Sequence, residues 1–241
     1  MNALIRGKAS SPTRFLFMYL LLFSFFYAFS GLPQAAGRAP WVGSSFRDAP
    51  CQGDPTGYGP YDYTERHKHR SNLHTVERYH FNQNVENLKG GAQTPSGLEG
   101  DLDYTLRAFP NHHRALYAVV RYQFIKGNKI YRSAKLSPAE CYLQRAINFS
   151  PGDGMAHMIY GILLHKSGKP EKALGQYEKA EKLIPGNGQL LYNKGLLLVD
   201  MGRHDQAREI ADELYRQSFP LQGLKNKLVE AGYWHNRADD Q

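Results

Sequence analysis

Apolar positions along the chain fall into two regimes. An almost unbroken apolar block runs from Phe15 to Phe29, interrupted by Ser24, and from Leu73 onward apolar residues recur every three or four positions. The second pattern is that of amphipathic helices. Leu73, Val76, Tyr79, Phe81, Val85 and Leu88 predict one helix ending at Gly90 and Gly91, and residues 89–97 form a turn. A second helix is expected from Leu98, with Leu102, Leu106 and Phe109 on one side and Pro110 closing it. A third runs from His112 to Ile125 and stops near Gly127. Ser137, Pro138 and Glu140 read as an N-cap, a first-turn proline and a capping-box acid for a fourth, whose inner stripe is Ala139, Leu143, Ala146 and Ile147. A terminal helix is expected from Leu221 to Tyr233. Between the two regimes, residues 38–64 are dense in Gly, Pro, Asp and Tyr and have no period, which reads as a loop-rich arm. Its aromatics, Trp41, Phe46, Tyr58, Tyr61 and Tyr63, predict that it packs along the helices that follow.

A repeat is superimposed on this pattern. Counting Gly154 as position one, Tyr160 and Gly161 occupy positions seven and eight, Leu164 eleven, Ala173 twenty, Tyr177 twenty-four, Ala180 twenty-seven and Pro185 thirty-two. A step of 34 residues brings Gly195, Leu198, Ala207 and Ala211 onto the corresponding positions, and a step back brings Ala139, Leu143, Ala146 and Pro151. Small residues at fixed places let two helices approach, and a larger one fills the gap beside them. These positions resemble the tetratricopeptide repeat (TPR) family over residues 112–221, with His157 departing from the large apolar residue usual at position four. The expected fold is therefore all-α: a TPR-type helix-hairpin solenoid with a loop-rich N-terminal arm and an N-terminal signal or anchor helix. Its expected divisions are a signal or anchor over 1–37, the arm over 38–72, a degenerate helical pair over 73–119, a degenerate repeat over 120–153, repeats over 154–187 and 188–221, and a capping helix and tail over 222–241.

The N-terminus changes where this array is expected to be. Arg6, Lys8 and Arg14 precede the apolar block, and Pro33, Ala35, Ala36 and Gly37 follow it, the layout of a secretory signal. The alternative is an uncleaved anchor over residues 15–32. Either way the remainder is expected outside the cytoplasm, in a periplasmic or other extracytoplasmic space. Cys51 and Cys141 would there form a disulfide or stand as two free thiols. Of the net charge of +8, the three basic residues ahead of the block account for three, and the remaining basic residues are dispersed. Nucleic acid is accordingly not an expected partner, and attraction to anionic surfaces or acidic partners is the better use of the charge.

The resemblance also implies a function. Arrays of this family bind peptides or partner helices in the groove lined by each first helix. Carried over, the groove-facing positions are Met155, Met158, Ile162 and His165 in one repeat and Gln189, Tyr192, Leu196 and Val199 in the next, unless several of these pack against a neighbouring repeat or the arm. A carboxylate clamp is not expected, because Met158 and Ile162 stand where it needs polar groups, although Asn193 sits at one clamp position. No phosphate loop or nucleophile elbow is present, so neither catalysis nor a cofactor is expected. Asp101 and Asp103 read as acids complementing a helix dipole. The competing expectation is a small-ligand or metal-binding protein using the His-rich region 67–113, through His67, His69, His112 and His113, although no recognisable ligand set is complete.

Overall fold

A computed structural model describes residues 39–55 and 57–234, and the expected signal or anchor lies outside them. Among the described residues the regular structure is helical: α1 (Arg70–His80), α2 (Gln83–Glu86), α3 (Leu98–Ala108), α4 (His113–Lys126), α5 (Ala139–Phe149), α6 (Gly154–Lys166), α7 (Pro170–Leu183), α8 (Gly188–Asp200), α9 (His204–Arg216) and α10 (Gly223–Glu230). None of these is long and apolar enough to cross a membrane.

The 34-residue step in sequence is also a step in backbone geometry. Asp153 caps α6 by accepting from the amides of Met155 and Ala156, and Asn187, 34 residues on, caps α8 by accepting from Leu190. At the other ends, the Lys169 amide donates to the Leu164 carbonyl at 3.0 Å and Arg203 to Leu198 at 2.8 Å, each turn made by a glycine in the left-handed region, Gly168 (φ 67°) and Gly202 (φ 72°). Three-residue turns thus join α6 to α7 and α8 to α9. Inside the first pair, a Cβ on Gly161 would lie 2.6 Å from Cδ1 of Tyr177, so the ring occupies the space a side chain would take. In the second pair the terminal helix does this work: Leu224 of α10 approaches within 2.5 Å of a Cβ placed on Gly195. His157 is buried, and its Nδ1 lies 2.7 Å from Gln176 Oε1, so a hydrogen bond to α7 takes the place of the expected apolar contact.

Several expectations are corrected. The single helix over 73–88 starts earlier, at Arg70, and breaks after His80: Phe81 leaves the helix with φ −143° to enter the core, and Asn82 caps a separate turn, α2. The arm ends before residue 70, and the division at 119/120 falls within α4. The terminal helix is shorter than 221–233. Ser137, Pro138 and Glu140 do not form a capping box. Pro138 is itself the N-cap, Ser137 Oγ donates to the carbonyl of Gln52, and Glu140 is fully buried.

Glu140 holds the arm instead. Its Oε1 accepts from the Phe46 amide (2.9 Å) and the Tyr131 hydroxyl (3.0 Å), and its Oε2 accepts from Gln123 Nε2 (2.8 Å). A buried carboxylate is tolerated only when saturated with donors in this way. One turn on, Gln144 Nε2 donates to the Ser44 carbonyl at 2.8 Å. Cys141 on the same face of α5 is bonded to Cys51, closing the loop across 90 residues of sequence. It faces away from the inner stripe but is buried, because the arm covers it. Arg145, the largest fully buried side chain, donates to the carbonyls of Ala39 and Leu106 at 2.8 Å each, with Trp41 lying over its guanidinium. Burial brings its pKa down to about 10. Asp103, expected to serve the helix dipole, is an interior acceptor for Tyr142 Oη (2.6 Å) and Arg107 Nε (2.7 Å).

Candidate functional site

A helix that is apolar on two sides has two surfaces to cover. On α6, Gly161 and Leu164 face the α7 side, while Met155, Met158, Ile159 and Ile162 form a second apolar row at three- and four-residue spacing. That row lines a groove of about 550 Å³. Tyr117 of α4 stands on one side of it, and Gln189, Tyr192 and Asn193 of α8 stand on the other, with Leu221 at the margin. The first helices of successive pairs, α6 and α8, thus share the groove with α4.

The α4 end is fixed by a buried polar network. Asn111, fully buried, accepts from the Tyr63 amide at 2.8 Å and donates from Nδ2 to Asp62 (2.7 Å) and Asp153 (2.9 Å). Asp153 also lies 2.8 Å from His113 Nε2, so one carboxylate caps α6 and ties it to α4. His112 is the N-cap of α4: its Nδ1 accepts from the Ala115 amide, so Nε2 carries the proton and donates to Glu77 at 3.0 Å. Burial pushes the His112 pKa down, and the hydrogen bond from His112 holds Glu77 low. Arg114 reaches the groove margin from a pair of carboxylates, Glu77 at 3.2 Å and Glu86, whose hydrogen bond raises the guanidinium pKa. Its position is therefore set before anything binds.

Arg114, Lys166 and His113 line the groove; Arg114 is already paired with Glu77 and Glu86 and His113 with Asp153, whereas Lys166 has no carboxylate within ion-pair distance among the described residues. One polar group in the groove has no partner: Nδ2 of Asn193 is buried without a hydrogen bond. A donor in that state costs about 1–3 kcal/mol.

Of the residues the resemblance placed in the groove, Met155, Met158, Ile162, Gln189 and Tyr192 line it together. His165 turns instead to Asp200, 2.9 Å away, and Leu196 and Val199 pack in the cluster around Leu224 and Leu228. Of the α4 residues, Arg114 and Tyr117 were not expected, and His113 was expected only in the His-rich region; the three-residue spacing of Arg114 and Tyr117 was their only sequence signal.

The His-rich region does not converge on one point, although the Tyr63 ring packs against both His112 and His113. His112 and His113 engage different carboxylates, His69 packs on the Tyr61 ring at 4.9 Å, and His67 is exposed. Among the described residues no three His, Cys, Asp or Glu side chains converge as a metal site. No protein-family model matches the chain, and comparison with curated proteins gives no match.

Proposed function

We propose that this chain is an exported helix-hairpin solenoid of the tetratricopeptide kind that binds a segment of another protein in the α4–α6–α8 groove, as a scaffold in a cell-envelope assembly. The observation that carries the reading is the groove itself: an apolar floor of methionine, isoleucine and tyrosine with the Lys166 ammonium at its margin. Methionine suits this role because its flexible thioether adapts to varied apolar shapes. The occupant that fits is a peptide segment with apolar side chains and an acidic group for Lys166. Export is supported by the basic residues, apolar block and small residues of the N-terminal sequence, and by the bonded Cys51–Cys141 pair.

The test is affinity capture from detergent-solubilised cells, comparing the wild-type chain with Met155→Glu/Ile162→Glu, two partly exposed groove positions. The reading requires a stoichiometric protein partner that the double variant loses while its circular dichroism is unchanged. Retention of the same partner by a correctly folded variant removes the groove from consideration.

A further inference from the structure

A second surface stands apart from the groove and does not depend on it. Arg66, His67, Arg70 and His74 line one shallow, open depression of about 340 Å³ at the start of α1, together with Leu73 and Glu77. All four of the basic or imidazole side chains are exposed. Glu77 is committed elsewhere, to His112 and Arg114. Among the described residues, no carboxylate lies within ion-pair distance of Arg66, Arg70 or Arg78, whereas the neighbouring Lys68 is paired with Glu65. Solvent-facing helix surfaces are stabilised by placing an acid four residues from a base. On α1 the sequence does the reverse: His74 follows Arg70 by four and Arg78 follows His74 by four, and the first turn of the helix holds no acid. Arg78, in the last turn, complements the helix dipole, but Arg70 in the first turn and His74 between them gain nothing within α1, so their counter-charge is expected from outside.

We propose that this face of α1 docks on an anionic membrane surface, through the phosphate groups of lipid headgroups. Two features favour a headgroup array over a single free anion. The cations extend from Arg66 past Arg70 to Arg78, and the helical part alone spans about 12 Å, more than one phosphate reaches. The depression is open rather than enclosing.

The experiment uses the full chain incorporated into vesicles of phosphatidylcholine alone or with three-tenths phosphatidylglycerol, so that any contribution of the N-terminal apolar segment is common to both. Phenylglyoxal then modifies accessible arginines, and mass spectrometry reads the rate at each. Arg66, Arg70 and Arg78 are expected to react about fivefold more slowly on the anionic vesicles, the factor one basic side chain contributes near such a surface. Half-molar salt should abolish the difference. Arg132 and Arg203, exposed on other elements, should not change. Equal rates on both vesicles overturn the proposal, as does an equal slowing at Arg132 and Arg203. So does protection by soluble polyphosphate or by poly-glutamate on neutral vesicles without protection by phosphatidylglycerol, because the anion would then be a free phosphate polymer or an acidic protein.

Discussion

The close approach of α6 and α7 at Gly161 can be separated from ordinary glycine effects by comparing two glycines in one hairpin. Gly161 and Gly175 both lie within helices, so replacing either by Ala gains about 1 kcal/mol of helix propensity. A Cβ on Gly175 meets nothing within 4 Å, whereas one on Gly161 lies 2.6 Å from Tyr177 Cδ1 and 3.0 Å from its Cζ. Tyr177 is fully buried and anchors the hairpin interior, so the ring has little room to yield. Overpacking of this kind costs about 1–3 kcal/mol. Gly175→Ala should therefore raise the melting temperature by roughly 2–4 °C, at the rate of a chain this size. Gly161→Ala should melt below Gly175→Ala by about 4–8 °C, taking 2 kcal/mol as the central steric cost. Thermal denaturation followed by circular dichroism measures both. If Gly161→Ala is as stable as Gly175→Ala, the Tyr177 ring does not occupy the space beside Gly161 and the hairpin packing derived above is wrong.

Two further outcomes follow from the arm and the polar network. Replacing Cys51 and Cys141 by Ser removes a cross-link across 90 residues, and the chain-entropy relation puts the loss at about 4–5 kcal/mol; an unchanged urea midpoint would contradict it. Stability should also fall on acidification in two stages. Burial lowers the His112 pKa from 6.5, so the unfolded chain binds a proton that the folded chain refuses, and stability declines as pH drops below about 6.5. Glu77 and Glu86, held below 4.5 by hydrogen bonds from His112 and Arg114, add a second decline below about pH 4.5. His112→Asn, which retains a capping oxygen, should flatten the first stage in pH-dependent urea titrations, and an unaltered slope would show that His112 is not its source.

What was readable in the sequence was what local chemistry controls. Gly161, Ala173, Tyr177 and Ala180 carry the hairpin contact in their sizes alone, and the glycine turns at 168 and 202 repeat at the same step. Glu140 and Asp103 were misread because their partners are distant in the chain. Glu140 sits where a capping acid would, but it bonds Phe46, 94 residues away, and Asp103 bonds Tyr142, 39 residues away. The break at Phe81 was hidden for the same reason, since its spacing fits a helix and only its burial against the following elements draws it out. In the groove, α6 and α8 contributed five of the eight expected residues, whereas α4 straddled the expected division at 119/120, where the repeat pattern is degenerate, and no groove position was assigned to it. His165 was diverted by a carboxylate 35 residues on, a competition that spacing does not reveal.

The central claim is that a partner segment lies in the α4–α6–α8 groove, and site-specific photocrosslinking in intact cells addresses it most directly. Benzoylphenylalanine placed at Met155, Ile162 or Gln189 probes the groove, and the same group at Glu178 or Lys179 probes an exposed face of α7. The account predicts one shared protein adduct from the three groove positions and none from α7. No adduct from the groove, or the same adduct from both faces, would contradict it.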